Sequence, residues 1–211
     1  MRFRSRRAAF GTALILLITA AIAGCGTAAD SLAPEQRPTS ALRLLTVLPT
    51  APLLATTSVS FYAVKCMNAG ADIWYRALPG RSDSTKMLEF RLNGASLDRR
   101  PDGSAFADGD SIRITITVIN PANLIVDFQP SGLKFSAKEP ARLKIFFGEC
   151  GDDLDRDGQV TSSDDAVKQQ LAIWRQETPT APWFKMSSVV VQEDRLVDAL
   201  LGGFTGYAVA Y

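Results

Sequence analysis

Ser111-Ile112-Arg113-Ile114-Thr115-Ile116-Thr117-Val118 alternates apolar and polar residues without a break. Successive side chains of a strand point to opposite faces. Ile112, Ile114, Ile116 and Val118 therefore share one face, and Arg113, Thr115 and Thr117 the other. β-Branched aliphatics opposite charge and hydroxyl make a half-buried strand. The same period recurs on both sides of this stretch. Within 87–92, Leu88, Phe90 and Leu92 alternate with Glu89 and Arg91; within 58–66, Val59, Phe61 and Ala63 share a phase. Further strand-like segments run 124–128, 142–147, 184–192, 195–200 and 207–211. Turn signals separate them: Pro79-Gly80, Asp102-Gly103, Asp108-Gly109, Asn120-Pro121, Ser131-Gly132 and Glu193-Asp194. Many short strands with one polar face predict an all-β fold, an antiparallel sandwich over 58–211.

One stretch breaks the pattern with chemistry of its own. Asp153-Leu-Asp-Arg-Asp-Gly-Gln-Val-Thr-Ser-Ser-Asp164 puts carboxylates at positions one, three, five and twelve of a twelve-residue loop, with Gly158 at six. Alternating carboxylates point inward when a chain curls around a hard cation, and the glycine permits the sharp turn. The candidate ligands are Asp153, Asp155, Asp157 and Asp164 through side-chain oxygens. Gln159 would act through its carbonyl and Thr161 through a water. Val160, at position eight, is expected to pack on the core. The bland alternative is an acidic turn that caps a helix. Asp at position twelve, in place of a bidentate Glu, predicts weak binding, on the order of 10⁻⁴ to 10⁻³ M. Calcium is the expected ion; an acid-rich loop also accepts magnesium.

The segment before the loop reads as a strand. After it, Val167, Leu171 and Trp174 recur at helical spacing, which predicts a helix over 165–177. Ser162 or Ser163 would cap it, and Pro179 follows its end. The D-x-D-x-D-G-x-V-x-x-x-D spelling, followed by a helix, resembles the loops of dockerin modules. Dockerins carry two such loops; this chain has one, so the resemblance implies the ion ligands and not partner docking.

The N-terminus is a targeting segment. Arg2, Arg4, Arg6 and Arg7 precede an apolar run from Ala8 to Ala23, then Ile22-Ala23-Gly24-Cys25. This resembles a bacterial lipoprotein signal with its lipobox, which implies cleavage after residue 24, acylation of Cys25 and export to the cell envelope. Removing 1–24 leaves 19 basic and 22 acidic residues, a net −3, with no basic patch for nucleic acid. Residues 25–57, rich in Thr, Ala, Pro and Ser, read as a flexible tether.

Gly94-Ala-Ser-Leu97, Phe128-Gln-Pro-Ser-Gly-Leu-Lys-Phe135 and Pro140-Ala-Arg-Leu143 resemble the ZU5 type of β-sandwich. The resemblance implies a ZU5-like or immunoglobulin-like sandwich over 58–211, serving as an interaction module, with the ion loop and helix inserted at 151–177. Some ZU5 domains cut themselves at a His-Phe-Ser step. Here the matching step is Gly203-Phe204-Thr205, without the histidine, so Phe204 is expected in the core.

The chain has no histidine, which excludes Ser-His-Asp and Cys-His catalysis and His-ligated zinc. No catalytic constellation is visible, and the expectation is a non-enzyme. Cys66 and Cys150 are an even pair in an exported context, which predicts a disulfide; the alternative is two separate thiols. Expected partners are the membrane, through Cys25, and an envelope protein or polysaccharide. Two rival functions are a carbohydrate- or surface-binding module, which needs an exposed aromatic row, and an envelope hydrolase with paired carboxylates in a cleft.

Overall fold

The computed structural model describes residues 34–77 and 85–211. The signal segment, Cys25, the first part of the expected tether and the Pro79-Gly80 turn lie outside them. In chain order the elements are β1 (Gln36–Arg37), β2 (Ser58–Val64), β3 (Ala69–Trp74), β4 (Lys86–Leu92), β5 (Leu97–Arg99), β6 (Ser111–Asn120), β7 (Ile125–Gln129), β8 (Lys134–Phe135), β9 (Ala141–Phe146), α1 (Ser162–Gln170), β10 (Ala172–Gln176), β11 (Trp183–Lys185), β12 (Ser188–Val191), β13 (Leu196–Leu201) and β14 (Gly206–Ala210).

The strands form an antiparallel sandwich. The larger sheet has the order β1-β11-β10-β14-β7-β6-β2, the smaller β12-β13-β9-β4-β3, and β5 pairs with β8 in a short ribbon. Alternation along β6 decides its orientation. Ile114, Ile116 and Val118 are buried, while Thr115 and Thr117 meet Ser60 and Ser58 across β2 on the outer face. On β4, Leu88, Phe90 and Leu92 face inward. Glu89 faces out, between Lys86 (2.5 Å) and Lys144 (3.2 Å). The two sheets meet through aromatic rings. Phe90 of the smaller sheet lies 5.2 Å from Phe128 of the larger, and Phe204 packs 5.0 Å from both Phe128 and Phe135. Phe204 is therefore core, as expected, at 1% exposure.

The helix differs from the expectation. It runs Ser162–Gln170 and its cap is Thr161, whose hydroxyl accepts the Ser163 N–H; neither serine caps it. The chain then turns extended at Leu171 and enters β10. Ile173 and Trp174 are both fully buried, on opposite faces of that strand. Ile173 lies in the inter-sheet core; Trp174 lies in a second cluster with Leu42, Ala172, Trp183, Ala208 and Ala210. A strand covered on both faces reads as a continuous apolar run, and Leu171-Ala-Ile-Trp174 continued the helical spacing of Val167 only by its density of apolar residues. The insert is thus the loop and helix up to Leu171, and β10 belongs to the larger sheet. The expected strand over 184–192 is likewise two strands, β11 in one sheet and β12 in the other.

Residues 34–57 are not a free tether. Gln36 and Arg37 pair with β11, Leu44 bridges Ala210, and the Leu45 N–H donates to the Val209 carbonyl. Leu42, Leu45 and Leu54 are buried. The apolar residues hidden among the prolines find a sheet face that needs covering, and each buried leucine contributes about 1.5–3 kcal/mol.

The expected disulfide is absent: Cys66 and Cys150 are free thiols, the first exposed and the second buried. Cys66 lies at the Gly94 end of β4, where its N–H donates to the Gly94 carbonyl. Cys150 lies at the other end, where the neighbouring Glu149 accepts the Thr85 hydroxyl at 2.9 Å. The seven residues of β4, at about 3.3 Å each, separate them by roughly 20 Å. A disulfide needs Cα atoms within about 7 Å.

Candidate metal site

The acidic loop occupies the connection between β9 and α1. Leu154, at position two, is its anchor in the core at 3% exposure, together with Val167 of the helix. Val160, expected to pack inward, is 67% exposed. The anchor and the outward residue are exchanged relative to the expectation: Leu154 joins the core cluster that also holds Cys150 and Val167. Gly158 takes φ +89°, the left-handed region that the tight turn requires, and Arg156 takes φ +63°.

Three of the expected carboxylates converge. Asp153, Asp155 and Asp164 each bring an oxygen within 4.8 Å of the other two. Oxygens bound to one calcium at about 2.3–2.6 Å lie no further apart than about 4.6–5.2 Å, so the triad fits a common hard cation. Asp153 offers its Oδ2 to the Gly158 N–H at 3.0 Å, and its Oδ1 is buried without any partner. A buried carboxylate oxygen without a donor is costly unless a cation completes it, which is the strongest local sign of an ion. Asp155 accepts from the Asp157 N–H (3.2 Å) and the Ser163 hydroxyl (2.6 Å).

Asp164 has a second task. It is fully buried, its Oδ1 accepts the Leu154 N–H (2.6 Å), and its Oδ2 accepts the Thr161 N–H (2.8 Å), closing a capping box with Thr161. The Thr161 N–H is the main cause holding this carboxyl below its ordinary value, helped by the Leu154 and Asp155 N–H groups; burial works against them. Carboxylate charge is thus built into the loop at neutral pH.

The other expected ligands stand apart. Asp157 is exposed and outside the triad, its Oδ1 accepting the Gln159 N–H at 2.8 Å. Gln159 is exposed, and the Thr161 hydroxyl is engaged with Ser163. Sequence reasoning passed over Arg156 and Leu154. The first donates to the Thr46 carbonyl, the second plants the loop. Leu154 was legible as the one large aliphatic among the acids; the partner of Arg156 was not.

Elsewhere the surface offers less chemistry. Trp174 and Trp183 are buried and Trp74 is 38% exposed, so one of the three tryptophans reaches the surface. Asp72 and Glu89 are both bound to Lys86, at 3.4 and 2.5 Å. The Lys86 hydrogen bond, with Lys144 behind it, holds the Glu89 carboxyl below its usual range, the opposite of a general acid. Asp102 and Asp110 accept N–H groups within their own turns, from Ser104 and Ala107. No helix among the described residues is long and apolar enough to cross a membrane. No protein-family model, curated protein or solved structure matches the chain.

Proposed function

We propose that this chain is a lipid-anchored cell-envelope protein whose sandwich acts as an interaction or structural module, with a structural calcium ion in the 153–164 loop. The observation that carries the ion is the unpartnered, buried Oδ1 of Asp153 in a triad of converging carboxylates. Asp153, Asp155 and Asp164 would hold the ion, with water completing its oxygen shell. The ion supplies positive charge that neutralises the triad. The chain's own groups do the rest: Leu154 fixes the loop to the core, and Thr161 with Asp164 caps the helix. The anchoring rests on the arginine-led apolar segment and Ile22-Ala-Gly-Cys25. The absence of histidine supports a binding rather than a catalytic role.

Calorimetric titration of the full chain with calcium tests the ion. One saturable site is expected, with Kd on the order of 10⁻⁴ to 10⁻³ M, abolished by Asp155→Ala. At ten times Kd the linkage is about 1.4 kcal/mol, which raises Tm by about 3–6 °C for a chain of this size. No heat and no Tm shift in millimolar calcium would reduce the loop to an acidic turn. A parallel titration with magnesium decides between the two cations.

A further inference from the structure

We propose that the ion loop is a latch for the N-terminal strap, and that calcium sets how tightly the strap is held at Thr46–Leu48. The proposal rests on the calcium reading above and adds a consequence for a distant part of the chain.

One contact joins loop and strap, and two more join the strap to the residues that lead into the loop. The Arg156 guanidinium donates to the Thr46 carbonyl. The Leu48 N–H donates to the Glu149 carbonyl at 2.9 Å. Gly151, at φ +75°, lies so close to Leu48 that a Cβ there would stand 3.1 Å from the leucine Cδ1. Arg156 sits between Asp155 and Asp157, inside the ion-binding sequence, and in a left-handed conformation that its own side chain does not favour. Its position depends on the curl of the loop. With the three carboxylates uncompensated, their mutual repulsion opposes that curl; a cation among them favours it. The coupling therefore runs from ion to loop curl, to Arg156, to the Thr46 carbonyl.

The rest of the strap supplies an internal control. The Leu45 N–H donates to the Val209 carbonyl of β14 and the Val47 N–H to the Ala122 carbonyl, so both amides bond outside the loop. A change confined to the loop moves the Leu48 amide and spares that of Leu45, whereas a change in global stability moves both.

Residue-resolved hydrogen exchange on the full chain, with and without calcium, is the test, run beside the calorimetric titration. Opening that requires release of the ion slows by one plus the ratio of free ion to Kd, about tenfold at ten times Kd. The Leu48 amide is expected to slow by about that factor while the Leu45 amide does not. Arg156→Ala, compared at ten times its own calcium Kd, should lose the slowing at Leu48. Calcium heat with no change at Leu48 would overturn the latch and leave the site standing. Equal slowing at Leu45 and Leu48, or slowing undiminished in Arg156→Ala, would also overturn it. No calcium heat at all would remove the site, and the latch with it.

Discussion

At the residue scale the informative group is Asp164, one carboxylate that both caps a helix and closes an acidic triad. Its folded pKa lies below the unfolded value of 3.8. Its stabilisation is therefore fully present above pH 3.8 and is lost as pH falls from there through the lower folded value. Without calcium, the difference in urea midpoint between the natural chain and Asp164→Asn should stay constant from neutral pH down to the carboxylate range, then narrow below pH 3.8. A gap that widens toward acid would contradict the capping role. The cysteines make a second residue-scale prediction. Burial pushes the Cys150 thiol up to about 12, so it should resist alkylation until the protein unfolds. Cys66 is exposed, with its S–H donated to Asp108 at 3.2 Å. Mass spectrometry of the natively labelled, unreduced chain should find label at Cys66, none at Cys150, and no peptide linking them. A linked peptide would restore the disulfide.

At the element scale the questions are where α1 begins and why it stops. Thr161 holds the cap position, with extended backbone and its hydroxyl on the Ser163 N–H. Thr161→Ala should lower stability by about 1 kcal/mol, whereas Ser162→Ala should stay within about 0.5 kcal/mol; denaturant titration separates them. The reverse order would place the cap where the sequence alone suggested it. The helix stops because the next residues are worth more in a strand. Trp174 is buried in β10 and its indole N–H donates to the Ala210 carbonyl at 3.2 Å. Burial of Ile173 on the opposite face then ties one strand into two clusters.

At the scale of the molecule, the strap over 34–57 belongs to the body. It covers the outer face of the larger sheet where Trp174 and Trp183 lie, and Leu42 and Leu45 enter clusters on its two sides. Removing 36–48 should lower unfolding stability by about 3–6 kcal/mol, from those two leucines alone, an upper figure given residual burial in the unfolded chain. Tryptophan emission should shift to longer wavelength as the cluster opens. Unchanged stability and emission would mean the segment is a tether after all.

What the sequence determined by itself is periodic or local. The alternation in 111–118 and 87–92 determined strands, their inward faces and the sandwich, because side-chain direction in a strand follows from backbone geometry alone. The twelve-residue loop spacing picked out Asp153, Asp155 and Asp164, which converge, and Asp157, which does not. Only the tertiary structure decided what depends on distant partners. It made Ile173 and Trp174 strand residues, since the far-off Leu42 and Ala210 cover their second face. It placed Cys66 and Cys150 at opposite ends of β4, since strand register and not cysteine count sets their separation. It drew Leu42 and Leu45 out of a proline-rich stretch onto a sheet, and turned Leu154 inward in place of Val160. Burial on a second face is a property of what lies opposite in space, and alternation along the chain does not encode it.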